Sequence, residues 1–93
     1  MVVGYGNVII KLFGISSLKE KRSLVKRLIN ELRKRFEISV IESGNQDSKD
    51  YMTIGIAFAT INENDCESKM DSIEQYLSAF YTVEDFQYDF HHF

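Results

Sequence analysis

The spacing of the apolar residues changes along this chain in a fixed order, and that order limits the folds open to it. Apolar residues alternate with other residues over positions 2–13, 38–43, 51–61 and 86–93, as in strands with one buried face. They recur every three or four positions over 18–36, and again between Asn64 and Phe80, as in amphipathic helices. The predicted order is therefore βαββαβ.

This order predicts an α+β, ferredoxin-like fold: a four-stranded antiparallel sheet with two helices on one face. Right-handed crossovers place the first and third strands in the centre of the sheet. We expect one domain over residues 1–93, because no linker or low-complexity segment interrupts the pattern. The residues expected to join the two helices in the core are Val8, Ile10, Leu12, Met52, Ile54, Ile56 and Phe58.

Two local motifs predict where the helices begin. Ser17 and Glu20 match a capping box, in which the serine hydroxyl accepts from the Glu20 N–H and the Glu20 carboxylate reaches the Ser17 N–H. Asn64, with Glu67 three residues later, is the predicted cap of the second helix. The apolar stripe predicted for that helix consists of Cys66, Met70, Ile73, Leu77 and Phe80.

Charge is strongly sorted between the two halves of the chain. Residues 1–36 contain nine Lys/Arg and two acids, a formal +7, whereas residues 37–93 contain two Lys and twelve acids, a formal −10. On a helical wheel, four cations of the first helix fall within about 60° of one another. We call Lys19, Arg22, Lys26 and Arg33 the basic ridge, and Lys21, near the start of the helix, is expected to assist it.

A row of cations on one helix face can bind the phosphates of structured RNA, and arginine can do so through two hydrogen bonds. These five residues are therefore the candidate nucleic-acid site. The alternative is an ordinary solvated face, in which Arg27–Glu31 and Glu31–Arg35 pair along the helix. In that case the acidic second helix would also offset part of the positive potential of the first helix.

The other face of the predicted sheet offers a different surface. Small residues on the third strand are flanked by Ile9, Phe13 and Ile41, which suits packing against another protein or a second copy of this chain. Scattered surface apolar residues are the alternative interpretation. The aromatic pattern of RNA-recognition motifs is absent, so base stacking on this sheet is not expected.

No catalytic motif, phosphate loop or metal-ligand spacing occurs in the sequence, so we predict no enzyme, cofactor or metal site. The lone Cys66 cannot form an intrachain disulfide, and we find no signal peptide or membrane-spanning segment. A cytoplasmic protein without a membrane partner is expected.

Asn45, Gln46 and Asp47 form a candidate polar loop, although turn formation explains Asn45 and Asp47 equally well.

Several segments resemble the YlxP-like family of small bacterial proteins, a domain of unknown function. They are SLKEKRS at 17–23, LRKRF at 32–36, Ser39-Val40, Gln46-Asp47 and TIGIA at 53–57. The resemblance implies a ferredoxin-like fold, and the family's genes commonly lie beside those for a translation initiation factor and a ribosome maturation factor. It implies no catalytic residues. Where the family often has Leu-Trp-Gln-Arg, this chain has Ser48-Lys49-Asp50-Tyr51.

These observations lead to a non-catalytic binding module as the primary hypothesis. Its basic helix would contact structured RNA or a ribosome-assembly particle. The alternative is a protein-interaction domain, either meeting an acidic partner through the basic ridge or forming a homodimer through the open sheet face.

Overall fold

The chain forms the six elements that its apolar periodicity predicts. The computed structural model describes all 93 residues. The first helix has the predicted bounds, and the last strand begins at Thr82, four residues before the predicted Phe86. The elements are β1 (Val2–Lys11), α1 (Leu18–Phe36), β2 (Ser39–Gly44), β3 (Tyr51–Thr60), α2 (Glu63–Phe80) and β4 (Thr82–His92). Neither α1 nor α2 contains an apolar stretch that could span a bilayer.

The four strands form one antiparallel sheet in the order β2-β3-β1-β4, which confirms the ferredoxin-like fold. The central strand β1 pairs Val8 with Ile54 of β3 and with Phe86 of β4. The pairing of β1 with β4 shifts between Ile9 and Ile10, which leaves Glu84 in a bulge. Each outer strand, β2 and β4, therefore has one edge without a neighbour.

The core lies between the sheet and the two helices. All seven strand residues expected there are buried, together with Val25, Leu28 and Leu32 of α1 and the first four residues of the predicted α2 stripe. Phe80 is the exception, because it is 69% exposed at the last position of α2, where its ring lies 5.1 Å from the Tyr76 ring, centre to centre. Its placement in the core was wrong.

The starts of both helices differ in detail from the prediction. Ser17 Oγ accepts from the Glu20 N–H at 3.1 Å, as expected, but the Glu20 carboxylate binds Ser16, accepting from its hydroxyl at 2.6 Å and its N–H at 3.1 Å. The hydroxyl bond, then the N–H bond, lowers the pKa of Glu20. Asn62 caps α2 instead of Asn64, because Asn62 is extended and accepts from the Asp65 N–H at 2.8 Å.

Candidate nucleic-acid interface

The basic ridge lies beside the edge strand β2, and a groove of about 400 Å³ runs between them. Arg22, Lys26 and Arg33 line the helix side of this groove, since residues three, four or seven positions apart share a helix face. Val40 and Ile41 belong to the strand side. Lys19 is exposed in the first turn of α1, outside the groove lining. The structure thus brings three of the four ridge cations to one groove.

Arg33 has a contact that sequence reasoning did not anticipate. Its Nη2 donates to the backbone carbonyl of Val40 at 2.9 Å, which ties the end of α1 to the edge strand. A guanidinium has five N–H groups, so this bond leaves donors for an anion while it holds the side chain in position. Arg33 is therefore both a fixed part of the groove and a cation at its end.

Lys21 does not belong to the interface, and its prediction as an RNA contact was wrong. The side chain is fully buried, its Nζ donates to the Asn45 carbonyl, and Glu42 Oε2 lies 3.3 Å from Nζ. The reason is helical position: residues 21, 25, 28 and 32 share the buried face of α1. The spacing of Lys21 from Val25, Leu28 and Leu32 is the sequence signal that would have revealed it.

The acids of α1 do not neutralise the ridge at close range. Glu31 accepts from the hydroxyl of Tyr76 on α2 at 3.2 Å, and the Arg35 guanidinium lies 4.5 Å from the centre of the Tyr76 ring. Burial, with a further effect of Glu31, raises the pKa of Tyr76. The Arg27–Glu31 and Glu31–Arg35 pairs do not form; the molecule has a Lys21–Glu42 ion pair and a contact between His92 Nε2 and Glu63 Oε1.

The exposed side of α1 extends this basic surface. A shallow depression of about 470 Å³ is lined only by polar side chains, and Lys26 and Asn30 border both this depression and the groove. The cations that face solvent here without a carboxylate within 4.0 Å include Lys26, Arg27 and Lys34. The positive surface therefore spans the helix from the β2 edge to the solvent side.

The candidate loop is built mainly by contacts within the fold. Asn45 has a left-handed backbone with φ of 55°, its carbonyl accepts from Lys21, and its Nδ2 donates to Thr53 Oγ1 at 2.7 Å. Gln46 Nε2 donates to the Glu42 carbonyl at 3.4 Å. Gln46, which turn formation alone did not explain, therefore also has a structural role. Asp47 is exposed and makes no hydrogen bond. These three residues converge on no common point.

The open sheet face has a shallow groove of about 310 Å³ above Gly55. Ser43 Oγ donates to Asn7 Oδ1 at 2.7 Å, so a β2 side chain reaches over the intervening strand to β1. A Cβ at Gly55 would lie 3.1 Å from the Ser43 Cβ and crowd this bridge. Ile41 and Tyr5, 61% and 46% exposed, lie at the groove.

A family model described as "Protein of unknown function (DUF503)" matches residues 3–90 of this chain. The chain belongs to the DUF503 family. A relative named "Uncharacterized protein YlxP", from Bacillus subtilis (strain 168), is 25% identical over 83 residues, covering 89% of this chain and 90% of the relative. Neither description states an activity, and the resemblance derived from the sequence motifs is confirmed.

In this DUF503 chain, the segment Ser48-Lys49-Asp50-Tyr51 forms the turn into β3. Ser48 Oγ accepts from the N–H groups of Asp50 and Tyr51, both at 3.1 Å, and the Asp50 carbonyl accepts from the Leu12 N–H at 2.7 Å. The segment therefore ends the loop and joins it to the end of β1.

Proposed function

We propose that this protein is a non-catalytic module that binds structured RNA through the basic ridge. Arg22 and Lys26 would contact phosphates directly, Lys19 would extend the contact at the start of α1, and Arg33 would add the donors that Val40 leaves free. The gene neighbourhood implied by the family resemblance suggests that the RNA belongs to a ribosome-assembly particle.

The observation that carries this proposal is that the ridge cations form no ion pair, while Glu42, the one acid lining the groove, is paired with the buried Lys21. Glu31, which helical spacing places beside Arg27 and Arg35 and away from the ridge, bonds to Tyr76 on the other helix. Arg22 and Lys26 are exposed with no carboxylate within 4.0 Å. Cations presented in this way are available to neutralise phosphates and release counterions, which is the main source of affinity in such complexes.

The test is fluorescence-anisotropy binding of a structured ribosomal RNA fragment at several salt concentrations. An Arg22→Ala/Lys26→Ala variant should lose most of the affinity. A Lys11→Ala/Lys49→Ala variant removes the same charge away from the ridge and should bind like the wild type. If the ridge engages three or four phosphates, log K should fall with log salt at a slope of about −3.

The outcomes separate the possibilities. Equal losses in the two double variants would mean that net charge, not the ridge, governs binding. No binding at low salt would overturn the proposal and favour the second candidate, a protein contact at the open sheet face. The exposed Ile41 beside the groove above Gly55 is the observation behind that candidate. Tyr5→Ser, at the same sheet-face groove but outside the groove beside the basic ridge, should weaken such a contact without changing RNA affinity.

A further inference from the structure

The outer edge of β4 carries backbone groups that no neighbouring strand occupies. The Phe93 N–H donates to the Met1 carbonyl at 2.8 Å, so the odd-numbered residues near this end direct their N–H and C=O groups to β1. The even-numbered residues Phe86, Tyr88 and Phe90 therefore direct theirs outward. Only one outward group has a side-chain partner, the Phe90 N–H, which donates to Asp89 Oδ1 at 2.8 Å.

The opposite edge of the sheet is partly covered by side chains. Arg33 donates to the Val40 carbonyl and Gln46 donates to the Glu42 carbonyl, so side chains occupy the outer acceptors of β2. That strand has six residues and an irregular register near its end, whereas β4 has eleven residues. Natural proteins protect exposed edges with such features, and on β4 they are the bulge at Glu84, the acidic side chains and the single Asp89 contact with the Phe90 N–H.

We propose that the edge of β4 pairs with β4 of a second copy of this chain, antiparallel about a two-fold axis at Tyr88. Such an axis, normal to the sheet, joins the two sheets into one and gives both copies the same interface. Phe86 then lies opposite the partner's Phe90 on the helix side. On the open side, Asp85 lies opposite the partner's His91.

The sequence of β4 selects this register. Gln87 lies opposite the partner's Asp89, so the amide and the imidazole of His91 each face a carboxylate and can donate to it. Moving the axis to Gln87 would put Asp85 opposite the partner's Asp89, a like-charge pair that occurs twice. Moving it to Asp89 would bring the two Asp89 carboxylates together. An axis at Phe86 would place the bulge at Glu84 inside the ladder.

One feature of the fold opposes this dimer. Three carboxylates of α2 lie close to Tyr88, namely Glu67, Asp71 and Glu74, and the dimer would bring the two α2 helices side by side. Their repulsion is between exposed groups and is screened by salt, with a Debye length of about 6 Å at about 0.3 M. We therefore expect dimer formation to strengthen with salt, the opposite of RNA binding by the basic ridge.

The first test is sedimentation at tens of micromolar protein in about 0.3 M salt, a condition chosen to screen those carboxylates. The wild type should sediment as a dimer. Tyr88→Pro removes an N–H from the free edge but none that bonds to β1, so it should give a folded monomer. Tyr88→Thr keeps the N–H and should remain dimeric. Circular dichroism of each variant confirms the fold.

Oxidative cross-linking tests the register. Tyr88→Cys places two thiols at the axis and should give a disulfide-linked dimer. Asp85→Cys should not, because the two positions would be about 20 Å apart. The wild type, whose Cys66 is buried, controls for the native thiol.

Three results would overturn the proposal: a monomeric wild type, a dimer that survives Tyr88→Pro, or cross-linking through Asp85→Cys in place of Tyr88→Cys. The Arg22→Ala/Lys26→Ala variant should dimerise like the wild type. Failure of RNA binding and failure of the dimer are therefore seen separately.

Discussion

Glu42 Oε2 lies 3.3 Å from Nζ of Lys21, a cation that α1 buries against the helix side of the edge strand β2. The same Nζ donates to the Asn45 carbonyl at the left-handed turn after β2. One buried side chain thus joins the first turns of the basic helix to the strand and loop beside it. Lys21 positions the interface and does not form part of its surface.

Lys21→Met should lower the free energy of unfolding by about 2–4 kcal/mol. Removing one member of a buried ion pair strands the other charge, and the effect is below the usual maximum because the Glu42 side chain is 20% exposed. Urea unfolding measures the change. The double variant Lys21→Met/Glu42→Leu removes both charges and should recover much of the loss, and an unchanged midpoint in the single variant would contradict the assignment.

Arg33→Ala should cost about 1–2 kcal/mol, because it removes a hydrogen bond from a charged donor to the Val40 carbonyl. It also uncovers the acceptor at the β2 edge, so light scattering should show faster aggregation on storage. Lys26→Ala, on the same ridge but without such a bond, should stay within about 0.5 kcal/mol of the wild type. Equal stability losses in the two variants would show that the Val40 contact contributes nothing.

Gly4→Ala should destabilise the protein by about 1–3 kcal/mol through overpacking. A Cβ at Gly4 would lie 2.7 Å from Cys66 Sγ and 3.0 Å from the Phe58 ring. Because the sulfur is the nearest obstacle, Gly4→Ala/Cys66→Ala should be more stable than the sum of the two single changes predicts. Strict additivity in thermal unfolding would argue against this contact.

Glu20→Gln should show a pH-dependent effect on stability. The hydrogen bonds from Ser16 lower the pKa of the folded-state carboxyl, so its contribution is complete above the unfolded-state pKa and disappears as the pH falls through the folded-state value. The Tm difference from the wild type should therefore be present at neutral pH and close in acid. Asp47→Asn removes an exposed carboxylate without hydrogen bonds. This control variant should therefore have the same Tm as the wild type at neutral and at acid pH.

Much of the fold could be predicted because burial on one face leaves a periodic trace in the sequence. The strands and helices of the core all carry that periodicity, so their order followed from it, and right-handed crossovers then placed β1 and β3 in the centre. The ends of elements depend on local hydrogen bonds instead. Asn62 and Asn64 are chemically equivalent caps, and only the backbone conformation decides between them. Phe80 fits the apolar spacing but is exposed at the last position of α2.

The candidate site was less predictable, because charge indicates exposure only on average. Lys21 was grouped with the ridge by its charge, whereas its position places it on the buried face of α1. The partners of Arg33 and Glu31 lie on other elements, so helical spacing could not reveal them. Contacts between distant parts of the chain need the three-dimensional arrangement.

The central position of β1 also bears on how the chain folds. Its partners are β3 and β4, and the register joins Val2 to His92, so almost the entire sequence lies between two paired residues. Closing so long a loop costs conformational entropy before the hydrogen bonds between the strands can offset it. Folds dominated by such distant pairings are therefore slow to form. The strand at the beginning of the sequence thus completes its hydrogen bonds only when the last strand arrives.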